Sequence, residues 1–195
     1  MLKQKSLKML SKCLFTSAFL LASSASFAAG QTTWFGETAD GNWMAGLKFG
    51  AAELDIEDYN RAKTTALVIG YQFSRPIGDN GSASIEMEIA TSDDAKIDSP
   101  FAQGDWKINS EAVYMNYRSP GTVYFKTKVG ILHNQITQQF AFGDVVSDDT
   151  AFALGFGGGV RLGAADNRVN IEAEWVSASG DHDINYFSLG GVIEF

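Results

Sequence analysis

Ala83-Ser84-Ile85-Glu86-Met87-Glu88-Ile89-Ala90 sets Ala83, Ile85, Met87 and Ile89 on one side of the chain and Ser84, Glu86, Glu88 and Ala90 on the other. Successive side chains of a β-strand point to opposite faces, so an unbroken period of two reads as a strand with one apolar and one polar face. The rest of the chain suits that reading: 20 glycines against 3 prolines, and 14 phenylalanines among 195 residues, favour short strands joined by tight turns. An all-β single domain is expected. After residue 30 no apolar run approaches the ~18 residues of a membrane-spanning helix, whereas a membrane barrel announces itself only by alternation.

Seven further segments are read as strands, six of them by alternation of the same kind. Trp43, Ala45, Leu47 and Phe49 oppose Gly46, Lys48 and Gly50; Leu67, Ile69, Tyr71 and Phe73 oppose Ala66, Val68, Gly70 and Gln72. Phe125, Val129 and Ile131 oppose Tyr124, Lys126, Lys128 and Gly130, and Phe152, Leu154, Phe156, Val160 and Leu162 oppose Gly155, Gly157, Gly159 and Arg161. Val169, Ile171, Ala173 and Trp175 oppose Asn170, Glu172 and Glu174, and the last segment sets Phe187, Leu189, Gly191, Ile193 and Phe195 against Tyr186, Ser188, Gly190, Val192 and Glu194. Trp106 to Arg118 is ambiguous: Trp106, Ile108, Ala112 and Tyr114 indicate one apolar face, Val113, Met115 and Tyr117 the other, and a β-bulge is one explanation.

The connections come in two kinds. Ser74 to Gly81, Ser119 to Thr122 and Gly163 to Arg168 are short and rich in Pro, Gly, Asn and Asp, whereas Leu54 to Lys63, Thr91 to Asp105, His133 to Thr150 and Ser177 to Asp183 are mostly longer and acidic. With an even number of strands, all turns fall at one end and all loops at the other, with both termini on the turn side. Trp43, Tyr71, Phe73, Tyr117, Phe125 and Phe195 then lie near the turn end, and Trp106 and Trp175 near the loop end, as two interfacial girdles would.

Lys3, Lys5, Lys8 and Lys12, an apolar stretch from Leu14 to Ala25, and the small residues flanking Phe27 in Ser26-Phe27-Ala28 form an export signal, with cleavage expected after Ala28 and a single barrel domain over residues 29–195. Cys13 leaves with the signal, so the mature chain has no thiol chemistry. Four of the 15 basic residues leave too, and the remaining 11 face 23 acidic ones, a formal charge of −12. With no basic run after residue 30, nucleic acid is not an expected partner.

These features together resemble the small eight-stranded outer-membrane barrels of the OmpA/OmpX type, a porin-like family of Gram-negative bacteria. The terminal Gly190-Gly191-Val192-Ile193-Glu194-Phe195 is similar to that family's C-terminal assembly signal, with Gly190, Ile193 and Phe195 in the matching places and Leu189 where a polar residue is usual. The resemblance implies an antiparallel up-and-down transmembrane barrel in the outer membrane, surrounded by outer-membrane lipid and lipopolysaccharide and inserted by barrel-assembly machinery. It implies a structural or surface-interaction role through loops outside the cell, toward a partner the sequence does not identify.

If the apolar face meets lipid, the polar face is the lumen, and it presents Lys48, Lys126, Lys128 and Arg161 with Glu86, Glu88, Glu172, Glu174 and Glu194. Buried ions need partners, and an eight-stranded interior is only wide enough to be filled by side chains, so a plugged, salt-bridged lumen is expected. Neighbouring strands are expected to supply the partners: Arg161 lies across from the strand of Glu172 and Glu174, and the strand of Glu194 closes against the one carrying Lys48. The acidic surplus leaves a narrow cation-passing channel as an alternative. Gly41-Asn42-Trp43 also resembles the opening of the lipocalins, soluble eight-stranded carriers of small apolar ligands whose apolar face points inward.

Enzyme chemistry finds little to work with. His133 is followed by Asn134 and Gln135, with no serine beside it to activate, and His182 lies in an acidic loop. Gly155-Phe156-Gly157-Gly158-Gly159 lacks the sixth-position glycine and following helix of a dinucleotide loop, so the glycines are expected to make room in a narrow barrel. The clusters Asp55-Ile56-Glu57-Asp58, Ser92-Asp93-Asp94 and Ser147-Asp148-Asp149 lack calcium-loop spacing and read as solvated loops. No catalytic residue, metal or cofactor is expected.

Overall fold

The computed structural model describes residues 41–195 except 75, 77–79, 101–102 and 165–166; the export signal over residues 1–28 and parts of two turns lie outside the described residues. Its strands are β1 (Gly41–Leu54), β2 (Ala62–Phe73), β3 (Ser82–Ser92), β4 (Ala95–Asp98), β5 (Gln103–Arg118), β6 (Val123–Phe140), β7 (Gly143–Ala164), β8 (Asn167–Ser179) and β9 (Ile184–Glu194). Each pairs antiparallel with its neighbours, β1 also pairs with β9, and β3 pairs with β5, which closes the sheet on itself. β4 continues β3, so the wall is an eight-stranded barrel. At the closing seam Trp43 and Phe195 exchange backbone N–H···O bonds of 2.9 Å.

The bulge lies on the neighbour of the ambiguous segment. Thr91 pairs with Asn109 but Ala95 pairs with Trp106, one residue out of step, so Asp93 and Asp94 carry an extra residue between β3 and β4. The inward face switches parity there, from Glu86, Glu88 and Ala90 to Ala95 and Ile97. Ile108 N–H donates to Ser92 Oγ at 2.9 Å, giving the interrupted ladder a side-chain acceptor. β5 itself keeps one parity throughout: Trp106, Ile108, Ser110, Ala112, Tyr114, Asn116 and Arg118 are all buried inside. Its alternation reads as ambiguous because the inner face is apolar at the loop end and polar at the turn end.

The other strands distribute their faces as alternation predicts. Leu47, Phe49, Leu67, Ile69, Ile85, Ile89, Phe152, Leu154, Leu189 and Ile193 are exposed on the outside. The inside is opposite in character, holding Lys48, Glu86, Lys126, Lys128, Glu172 and Glu174 in burial. This inverts the arrangement of a soluble carrier, whose ligand chamber is apolar, and the lipocalin-like alternative falls with it. Toward the loop end polar residues join the outward rows: Glu53, Asn185 and Ser177 are lateral neighbours, as are Glu111, His133 and Thr150.

Two expected loops are largely strand. Between His133 and Thr150 the chain continues β6 to Phe140, turns at Ala141 and Phe142, and returns as β7 from Gly143, with Gln135 opposite Asp148 and Thr137 opposite Val146. Thr91 to Asp105 contributes β4. Strands β4 to β7 thus extend beyond the apolar belt as a sheet standing above one side of the barrel.

Candidate functional site

The lumen is filled in three storeys. Nearest the turn end, Arg118 is wholly buried and hydrogen-bonds three inward neighbours: Glu86, Glu172 Oε1 at 2.7 Å and Ser84 Oγ at 2.8 Å. Tyr124 OH donates to the same Glu172 oxygen at 2.7 Å. Lys126 Nζ lies 2.9 Å from Glu86, 2.8 Å from Glu172 and 2.6 Å from Glu174. Lys128 and Lys48 meet Glu174 at 2.8 Å and 2.9 Å, and Lys48 reaches Glu88 at 2.8 Å. Lys128 lies 3.4 Å from Glu88, its Nζ also 4.1 Å from the centre of the Tyr114 ring. The cluster joins four cations, Lys48, Arg118, Lys126 and Lys128, to four carboxylates, Glu86, Glu88, Glu172 and Glu174.

Seven of the nine residues expected in a charged lumen are brought together; Arg161 and Glu194 are not. Arg161 donates to the Gly121 carbonyl at 3.2 Å and lies 4.5 Å over the Tyr124 ring, because its register partner is Asn170 at the turn end while Glu172 and Glu174 face Gly159 and Gly157. Glu194 sits against Asn170 and Gln72, four residues nearer the turns than the Gly190 that faces Lys48. Arg118 is the member that sequence reading missed. Its signal was available: it shares parity with Trp106, Ile108, Ala112 and Tyr114.

The glycines of β7 make the space. Gly155, Gly157 and Gly159 face inward opposite Lys128, Lys126 and Tyr124. A Cβ on Gly155 would lie 2.7 Å from Lys128 Cγ, and one on Gly159 2.6 Å from the Tyr124 hydroxyl. Gly190 is similarly covered by the Lys48 stem, with a Cβ there 2.5 Å from Lys48 Cγ.

The middle storey packs Ala112, Leu132, Ala151, Ala153, Val176 and Ala178 around a small polar triad. Ser110 Oγ is 2.8 Å from Asn134 Oδ1 and 2.7 Å from Tyr186 OH, which donates to Asn134 Oδ1 at 2.8 Å. Beside it, between Glu88, Lys48 and Tyr114, is a cavity of about 20 Å³, room for a water molecule. The top storey is an apolar cap of Leu54, Ile97, Trp106, Ile108, Ile136 and Ile184, with Tyr59 packed against it. The β1–β2 connection folds over it: Asn60 N–H donates to the Lys96 carbonyl at 3.0 Å, Asp98 N–H to Asp58 at 2.8 Å, and Trp106 Nε1–H to Asn60 at 2.9 Å. Burial pushes the Tyr59 phenol above its ordinary value, so it stays a neutral partner for Gln138 at 3.0 Å.

Trp106 is therefore not an interfacial aromatic. It is completely buried, because β5 faces its even-numbered residues inward at this height. Trp43, Tyr71 and Phe73 form an edge-to-face series at the turn end with centroids 5.3 and 5.6 Å apart, and Tyr117 lies 5.8 Å from Phe125. Trp175 packs 4.9 Å from Phe156 near the other end. Phe49, Phe156, Trp175, Phe187 and Leu189 border an open outer-wall groove of about 550 Å³.

His133 faces outward, 3.0 Å from Thr150 Oγ1, and among the described residues no group of three or more His, Cys, Asp or Glu is placed to hold a metal. No family model matches the chain, and no curated protein matches it. Solved structures do. The crystal structure of Ail, the attachment invasion locus protein of Yersinia pestis, is 14% identical and superposes with a TM-score of 0.51 over 80% of this chain and 97% of that one. Neisserial surface protein A is 15% identical over 80% and 97% of the two chains, TM-score 0.46. The N-terminal barrel domain of Pseudomonas aeruginosa OprF is 14% identical over 80% and 100%, TM-score 0.47. At these identities the likeness is one of fold.

Proposed function

We propose that the chain is a Gram-negative outer-membrane protein with a closed, non-catalytic barrel that serves as a rigid mount for the surface it presents outside the cell. The observation that carries this is the inversion of polarity: apolar side chains cover the outside while eight charges are paired inside. Water offers no reason to expose such a belt, and lipid does. The aromatics at both margins of the belt fit headgroup level, and the outer-wall groove fits the acyl chains of outer-membrane lipid or lipopolysaccharide.

The paired ions, the middle storey and the cap stand in series along the lumen, which supports a plug over a passage. Gly190, Ile193 and Phe195 keep the role of assembly signal in this proposal. Cell fractionation tests the location: the mature chain should require detergent for release and should shift its gel mobility on boiling. Recovery as a soluble periplasmic protein would overturn it.

A further inference from the structure

The ion cluster of the lumen balances without Glu194. That carboxylate is 1% exposed, and among the described residues its side-chain partners are two carboxamides: Asn170 Nδ2 donates to Oε1 at 2.5 Å and Gln72 Nε2 to Oε2 at 3.4 Å. Neither arginine of the turn end neutralises it. Arg161 is engaged by the Gly121 carbonyl and the Tyr124 ring, and Arg168, the register partner of Glu194, forms no ion pair with it. A buried carboxylate is costly unless a positive charge accompanies it.

The two carboxamides share the deficit. Asn170 is wholly buried and Gln72 more than nine-tenths buried, yet Asn170 Oδ1 and Gln72 Oε1 are buried acceptors with no donor. A carboxamide oxygen lies about 2.2 Å from its nitrogen, which holds these two within about 5 and 6 Å of the carboxylate they flank. Two metal–oxygen bonds of a calcium-sized ion, roughly 2.3–2.6 Å each, span such a gap. Met44, the inward residue of β1 beside Glu194, leans onto Gly70, where an added Cβ would lie 2.9 Å from its Cε, and Gln72 reaches Glu194 across β1. We infer that Glu194, Asn170 and Gln72 hold a sodium-sized monovalent metal cation, which clasps β8, β9 and β2 across the seam where β9 closes on β1. One carboxylate balances one charge. Calcium draws roughly six to eight oxygens, several of them from carboxylates, and Arg161 and Arg168, register partners of Asn170 and Glu194, oppose a second positive charge.

Urea unfolding of the purified chain from detergent tests the site, run in sodium chloride and in tetramethylammonium chloride at equal ionic strength, because the organic cation is too large to enter. Sodium should raise the midpoint, and near saturation each tenfold rise in its concentration should raise the folding equilibrium constant up to about tenfold. Glu194→Gln should erase the difference between the two salts. Should that variant fail to form a barrel, Gln72→Met, which keeps the carboxylate, should weaken sodium binding about tenfold or more, read both from the midpoints and from sodium NMR linewidths. Equal midpoints of the native chain in the two salts would overturn the inference and leave water or Arg168 as the partner of Glu194. A sodium response that Glu194→Gln or Gln72→Met leaves unchanged would put the ion elsewhere and overturn it as well.

Discussion

Arg118 joins Glu86, Glu172 and Ser84, and it brings the buried cluster to four cations and four carboxylates. Removing one partner from such a cluster strands the opposite charge, which typically costs ~3–5 kcal/mol, far more than the pair contributes over an apolar replacement. Arg118→Met should therefore lower the stability of the folded barrel by about that amount in urea unfolding from detergent, and Arg118→Met with Glu86→Gln should recover part of it. Arg161, half outside the lumen and bonded to a turn carbonyl, should tolerate methionine within ~1 kcal/mol. If the two arginines are equally sensitive, the ordering of the network is wrong. The acidic surplus read from the sequence arose from omitting Arg118, whose strand alternates correctly but carries apolar residues on its inner face near the loop end, where the lumen rises above the apolar belt.

Strands inside the belt were legible because the outer wall and the lumen carry opposite polarities on neighbouring residues, and Trp43 to Phe49 or Ala83 to Ala90 show that contrast directly. Above the belt both faces of a strand meet water or a local cap, so the contrast vanishes: Gln135, Thr137 and Gln139 opposite Asp148, Val146 and Asp144 read as a loop though they form a ladder. The same loss hid β4 and placed Trp106 at an interface it does not touch. The glycines of β7 are more demanding than their sequence implies, since lysine stems occupy the volume a side chain would need. Gly155→Leu should prevent formation of the heat-modifiable barrel, whereas Gly191→Leu, on the outer face with nothing within 4 Å of an added Cβ, should leave it intact. Trp106→Ala removes the largest cap side chain and should cost ~3–5 kcal/mol. Hydrogen exchange should quicken first in β4 and residues 55–60, which depend on it; uniform quickening would mean the cap is not an independent unit.

In the proposed plugged barrel the internal ion cluster and the apolar cap are two barriers to an ion travelling along the axis, and barriers in series are governed by the higher. At the cap an ion would have to leave water for a layer of Leu54, Ile97, Trp106 and Ile136, and at the cluster it would have to displace a lysine or arginine from two or three carboxylate contacts. Removing the cap alone with Tyr59→Ala and Trp106→Ala therefore leaves the second barrier standing. Purified wild-type protein in planar bilayers should show no steady conductance, and the cap variant should remain silent at the same voltages. Glu86→Gln with Glu88→Gln would leave four cations facing two carboxylates, so any leak it shows should favour anions. The opposite pattern, a steady cation-selective current in the wild type that this glutamate variant abolishes, would make the lumen a channel and the ion pairs its selectivity element.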